Sequence, residues 1–236
     1  VYPNYNWCPD NEHIIIWAKG KLHKVNSLDG SNEIIPFTAT AKHHIVDALK
    51  FEQEPAPEKV DVHVIRNAVK SPDGKHLVFN AVGHLWKQKL PNGSPTRLTT
   101  SKDFEYEPSF SPDGKEIVYV RWNDEQRGSI QKIALSGGPS TTLNEEKGMF
   151  RNPTYSPDGK SIVYQKDGGN ADLGFAYSEK PGLYIIGSNG GPARFLHRGG
   201  DEPRFNKSGD RVFFRTGGYL FGALNKKYCS INLNGE

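Results

Sequence analysis

The sequence holds eight histidines, at positions 13, 23, 43, 44, 63, 76, 84 and 197, and a metal centre or a general base would draw on them first. His43 and His44 are adjacent, and Asp47 stands four residues beyond His43. One helical turn would bring that set together as metal ligands, while a solvated loop accounts for the same residues without a metal. Asp61 and His63 form a weaker pair. Acyl transfer by a Ser-His-Asp set would need a Gly-x-Ser-x-Gly elbow, and phosphate or dinucleotide binding a Gly-rich fingerprint; the sequence has neither. Cys8 and Cys229 are too few for a disulfide framework or a zinc set. They suit either one staple between first and last units or two buried small hydrophobes. Asp73, Asp113 and Asp158 each sit in a Ser-Pro-Asp-Gly-Lys pentapeptide. Acid or metal chemistry is conceivable for them, but the pentapeptide is a tight turn. Serine bonds the turn backbone, proline presets φ and glycine takes the last position.

The elements that must position these residues follow from the turns. Pentapeptides begin at Ser71, Ser111 and Ser156, with worn copies at Asn206 and Cys8, so successive starts are 63, 40, 45 and 50 residues apart. After each comes a short β-branched or aromatic run: Ile14–Trp17, Leu77–Phe79, Ile117–Tyr119, Ile162–Tyr164 and Val212–Phe214. Further short runs and Gly-containing turns follow, and a last strand closes the first four units, giving four strands per repeat. A repeat of this length with this content predicts an all-β propeller of four-stranded antiparallel blades. We expect one propeller domain over 1–236, with units at about 1–38, 62–100, 103–143, 147–197 and 200–236 and an inserted loop at 38–61. The fifth unit has material for three strands only, which leaves edges that further sequence or a partner chain would be expected to cover.

Composition agrees and narrows the function classes. The 236 residues are 35% hydrophobic with a mean hydropathy of −0.66, but 12 Phe, 10 Tyr and 4 Trp supply core mass. Twenty-five Gly and 16 Pro suit a chain that reverses often. A net charge of +3 with interspersed signs argues against a nucleic-acid surface, and no apolar run approaches a membrane span.

Aligning the turns exposes a column four residues before each: Asn4, Asn67, Glu107, Asn152 and Glu202. A blade's first strand lines the central channel, so the column predicts a polar ring at the channel mouth. Such a ring suits a ligand or cation, or simply hydrated walls. Aromatics directly before the turns, Trp7, Phe110, Tyr155 and Phe205, read as core between blades. The loop 38–61 with His43 and His44, and an insertion at 166–180 carrying Phe175 and Tyr177, are expected to leave from the face that holds the column. That face becomes the expected interaction face.

The Ser-Pro-Asp-Gly-Lys turn followed by Ile-Val-Tyr resembles the WD40-like PD40 repeat of TolB-type propellers. Longer stretches carry a further likeness: Gly83–Trp86, Phe104–Phe110, Tyr119–Asp124 and Pro181–Tyr184. Together they resemble the propeller region of large bacterial amidohydrolase-family proteins, where such a propeller precedes a metal-dependent hydrolase barrel. The resemblance implies a non-catalytic, substrate-gating or interaction scaffold, with no catalytic residue, metal ligand or cofactor in this chain. The metal would belong to the barrel, whose His-x-His pair is missing from this sequence. It also implies a periplasmic or secreted setting, with the remainder of its own polypeptide or a protein or peptide as partner. A TolB-like protein-binding module of the cell envelope and the propeller of a prolyl-oligopeptidase-like peptidase are the alternatives.

Overall fold

A computed structural model describes residues 4–45, 55, 57–170, 175–176, 178–220, 223–224 and 226–236. Among them there is no helix, and so none long and apolar enough to cross a membrane. The described strands form five antiparallel sheets of three or four strands, as a propeller's blades require, and two short two-stranded ladders, Gly169–Asn170 with Phe175–Ala176 and Tyr219–Leu220 with Ala223–Leu224, each inserted between two strands of one blade. The chain divides into two compact units, Val1–Pro57 and Glu58–Glu236.

The first unit holds one blade, with strands Tyr5–Trp7, His13–Ala18, Lys21–Asn26 and Asn32–Ile35. The second unit holds four. Blade 2 runs Arg66–Lys70, His76–Ala81, His84–Lys89 and Thr96–Arg97. Blade 3 runs Phe104–Phe110, Glu116–Asn123, Arg127–Ala134 and Thr141–Thr142. In blade 4, Met149–Tyr155 and Ser161–Asp167 are followed by Gly182–Gly187 and Arg194–Arg198. Between its second and third strands a two-residue ladder pairs Gly169–Asn170 with Phe175–Ala176. Blade 5 has three strands among the described residues, Asp201–Phe205, Arg211–Thr216 and Lys227–Asn232.

Alternation along these strands sends apolar side chains to both faces of each sheet, so the core lies between successive blades. Blades 2 and 3 enclose Val78, Leu85, Leu98, Ile117, Tyr119 and Ile133, with Phe110 packed against them. Blades 3 and 4 enclose a cluster that includes Val118, Ile130, Phe150, Tyr155, Ile162 and Tyr164. Blades 4 and 5 enclose Val163, Leu183, Leu196, Val212, Phe214 and Ile231, joined by Phe205 and Cys229. Phe110, Tyr155 and Phe205 therefore do the work expected of the aromatics before the turns. Trp7, in the first unit, is 56% exposed. Both cysteines are free thiols.

The pentapeptides form one repeated turn. Ser111 Oγ donates to Asp113 Oδ1 (2.6 Å) and accepts from the Glu116 N–H (2.9 Å), while Asp113 Oδ1 also accepts from the Lys115 N–H (3.0 Å). The same bonds recur at Ser71 and Ser156. These hydrogen bonds, from the serine first, hold Asp73, Asp113 and Asp158 below the ordinary carboxyl range. At the worn copy Asn206 Oδ1 accepts the Arg211 N–H (3.1 Å) in place of the serine. Turns also touch their neighbours. Gly114 stands at φ +73°, and a Cβ there would lie 3.4 Å from Pro72 of the preceding turn; Gly159 meets Pro112 and Gly209 meets Pro157 in the same way. Each turn's proline thus rests on the next turn's glycine.

Candidate functional site

The polar column has a backbone cause. Asn67, Glu107, Asn152 and Glu202 all take left-handed φ, between +49° and +52°. In each of these first strands the ladder skips: Arg66 pairs with Asn80 but Val69 with Val78, and equivalent shifts occur in blades 3, 4 and 5. Two residues therefore bulge against one, and the residue opposite is Phe79, Tyr119, Tyr164 or Phe214. Pro108, Pro153 and Pro203 fill the second bulge position, where no ladder donor is needed. Alanine, Ala68, serves there in blade 2. Asn4 differs. Its strand pairs in unbroken register, Tyr5 with Ile16 to Trp7 with Ile14, and Asn4 precedes it, its carbonyl accepting the Trp17 N–H (3.2 Å).

Asparagine tolerates left-handed backbone, whereas glutamate does so at a cost of about 1 kcal/mol. Both glutamates are held by arginines. Glu107, whose side chain is 9% exposed, accepts from Arg151 Nε (2.7 Å) and Nη2 (2.6 Å) and from the backbone N–H of Asn152 (2.6 Å). That last bond ties the bulge of blade 4 to the bulge of blade 3, so Glu107 and Asn152 are in direct contact. Glu202 pairs instead with Arg215 on the second strand of its own blade.

Asn67 and Glu107 meet at a cleft of about 740 Å³. Its rim carries Arg66, Asn67, Glu107 and Arg151; Tyr106, Val120, Trp122, Met149 and Phe150 form its walls. The two guanidinium groups differ. Hydrogen bonding to Glu107 stabilises the charged form of Arg151 and raises its pKa, whereas Arg66 is exposed and makes no ion pair among the described residues. Trp122 Nε1 donates to Asp124 Oδ1 (2.7 Å). Desolvation, then the Asp124 charge, raises the Tyr106 hydroxyl pKa. The insertion of blade 4 reaches this wall, since the Met149 N–H donates to Ser178 Oγ (3.3 Å). An exposed guanidinium beside the exposed ring of Tyr106 suits a ligand with a carboxylate on an apolar or ring-bearing body.

His43 and His44 are exposed and outside any strand, and Asp47 and Tyr177 fall outside the described residues. Phe175 lies in the short ladder of the blade 4 insertion. Among the described residues no three His, Cys, Asp or Glu side chains gather as a metal set. The cleft's Arg66, Tyr106 and Arg151 were missed by the sequence reading, although each directly precedes a column residue.

A second polar cluster also escaped it. Glu105 is fully buried between blades 2 and 3, where its Oε2 accepts the Leu85 N–H (2.9 Å) and the Thr99 hydroxyl (2.7 Å). His84 Nδ1 stands 3.9 Å from it. At the equivalent place in blade 3, Asn144 Oδ1 accepts the Ile130 N–H (2.6 Å).

No protein-family model matches the chain, and no curated protein matches it. Solved structures do. A TolB candidate from Agrobacterium tumefaciens superposes with a TM-score of 0.59 at 19% identity, covering 100% of this chain and 78% of that one. TolB from Acinetobacter baumannii gives 0.58 at 17% identity, covering 99% of this chain and 53% of its own. An oligogalacturonate lyase solved in complex with manganese gives 0.57 at 13% identity, covering 94% and 59%. The chain thus spans little more than half the length of the latter two. The fold is that of the TolB-like propellers.

Proposed function

We propose that this propeller is a non-catalytic binding scaffold whose cleft at Arg66, Glu107 and Trp122 takes a ligand bearing a carboxylate on an apolar or ring-containing body. The observation that carries this is Arg66, exposed and without an ion pair among the described residues, set beside the exposed ring of Tyr106, with the second guanidinium already neutralised by Glu107. In the reading we favour, the scaffold belongs to a larger amidohydrolase-type hydrolase and passes substrate toward a barrel. The Phe104–Phe110 and Tyr119–Asp124 stretches, which carried that resemblance, supply Tyr106, Glu107, Val120 and Trp122 to the cleft. The likeness to TolB folds favours a second reading, a protein-binding module of the cell envelope, with the cleft taking an acidic peptide.

Quenching of tryptophan fluorescence tests the shared claim. N-acetylated aromatic amino acids and short acidic peptides should quench saturably, and Arg66→Ala should weaken binding about tenfold, the loss of one charge-assisted contact. Amidated counterparts that bind as well as the acids would refute the carboxylate assignment. Whichever class binds more tightly separates the two readings.

A further inference from the structure

We infer that a second groove, between blades 2 and 3, is a binding site for a soluble polyphosphate or similarly charged small polyanion. The groove measures about 640 Å³ and is lined by His76, Lys87, Lys89 and Lys115 with the hydroxyls of Ser94 and Thr96; among the described residues no carboxylate lines it. It sits at the far end of the blade 2 second strand from the cleft. There His76 pairs with Lys89, while Asn80 near the other end pairs with Arg66.

The repeats supply the control. In blade 2, His76 stands opposite Lys89 and Lys87 opposite Val78. The corresponding residues in blade 3 are Glu116, Ala134 and Lys132. Here Glu116 neutralises Lys132 at 3.2 Å, and Asn189 Oδ1 takes a further ammonium proton at 3.2 Å. Blade 4 places Ser161, Gly187 and Ile185 at these positions, with no charge. The blade of the first unit also has a histidine and a lysine at these positions, His13 and Lys24, but Asn26 stands opposite the histidine and Asp10 lies 2.9 Å from it; blade 2 combines the histidine with a second lysine. Lys87 is oriented by carbonyls rather than by an anion, donating to Leu135 O (2.9 Å) and Ser136 O (3.0 Å). That holds its charge in place while leaving the charge uncompensated. Among the described residues Lys115 pairs only with the distant Asp113 of its own turn, at 3.9 Å with both groups exposed, an arrangement of little energetic weight. Three ammonium groups and an imidazole converging on a concave wall favour a multiply charged oxyanion. The concavity favours a soluble ligand over a flat anionic membrane.

Calorimetric titration of the full chain with inorganic tripolyphosphate tests this. Saturable binding is expected, with His76→Glu and Lys89→Ala each weakening it about tenfold or more. His76→Glu would give Lys87 the partner that Glu116 gives Lys132. Lys102→Ala removes the same charge from an exposed position outside the groove and should leave affinity unchanged. Urea midpoints matching the parent's would establish that all three variants fold. Binding that fails to saturate by about 10 mM, equal weakening by Lys102→Ala, or wild-type affinity in His76→Glu would each overturn the site. Co-sedimentation with phosphatidylglycerol vesicles without tripolyphosphate binding would overturn the soluble ligand.

Discussion

Replacing Glu105 by alanine and by glutamine separates two roles that one carboxylate could play. Its Oε2 alone receives both the Leu85 N–H and the Thr99 hydroxyl, and it is fully buried. Alanine strands two donors in a dry interface, at about 1–3 kcal/mol each, and leaves a cavity. We therefore expect a loss of about 3–5 kcal/mol. Glutamine can place its carbonyl oxygen at the Oε2 position and keep both bonds. Its NH2 then takes the Oε1 site, where the carboxylate oxygen already lacks a partner. The neighbouring interface shows that a neutral amide suffices, because Asn144 receives the Ile130 N–H. Glutamine should accordingly cost less than about 1 kcal/mol. Urea unfolding followed by tryptophan fluorescence measures both. Equal losses in the two variants would refute the reasoning, because the essential interaction would then be the charge facing His84 rather than the acceptor.

Gly128 approaches Gly148 so closely that a Cβ would lie 2.5 Å from its carbonyl oxygen; Gly128→Ala should cost about 2–4 kcal/mol in urea unfolding, while Gly218→Ala, in open space, stays within about 0.5 kcal/mol. Burial pushes the Tyr119 hydroxyl up to about 12 and also raises those of Tyr155 and Tyr164. A raised folded pKa means the stabilisation is intact below 10 and drains as pH climbs past it, so these tyrosines should ionise together with unfolding in an ultraviolet alkaline titration rather than before it. The lowered turn aspartates have the opposite sign: their contribution is complete above the ordinary value of 3.8 and disappears as pH falls below it. Asp113→Asn should therefore lower the melting temperature at pH 7 and narrow its gap to the parent in strong acid. Finally, the purified chain should not hydrolyse amide or lactone substrates with or without added divalent metal, and metal-stimulated turnover would contradict a non-catalytic scaffold.

The fold was legible because its signals are local. A Ser-Pro-Asp-Gly turn fixes its own backbone with its own side chains, and Ile-Val-Tyr beside it can be little other than a buried strand. The column before the turns was also visible, but its cause was not. Nothing in the single letters of Glu107 or Glu202 announces a left-handed residue, because the bulge is imposed by pairing with a strand that comes later in the chain. The proline two residues before Phe110, Tyr155 and Phe205 is the clue the sequence offers, because proline suits a position that needs no ladder donor. The cleft was hidden for a related reason. Arg66, Tyr106 and Arg151 come from three blades, and only packing reveals that one guanidinium is spent on Glu107 while the other makes no ion pair among the described residues.

Repeats turn that difficulty into a method. Positions that several blades satisfy in the same way, such as the turn serine of blades 2 to 4 or the aromatic opposite the bulge of blades 2 to 5, carry fold and vary little. Positions satisfied by different chemistry in different blades carry what is particular to each interface. The N–H of Leu85 is met by a carboxylate and that of Ile130 by an amide. Lys132 meets a carboxylate, and Lys87 meets only carbonyls. The blade scaffold demands an acceptor at the first position and tolerates either charge state. At the second it demands nothing of the residue facing the lysine, since blade 4 manages with isoleucine and serine. A charge that the fold does not require and leaves uncompensated is stabilised only by something outside the fold. The groove around Lys87 is therefore where a ligand's contribution should be sought before any residue of the shared framework.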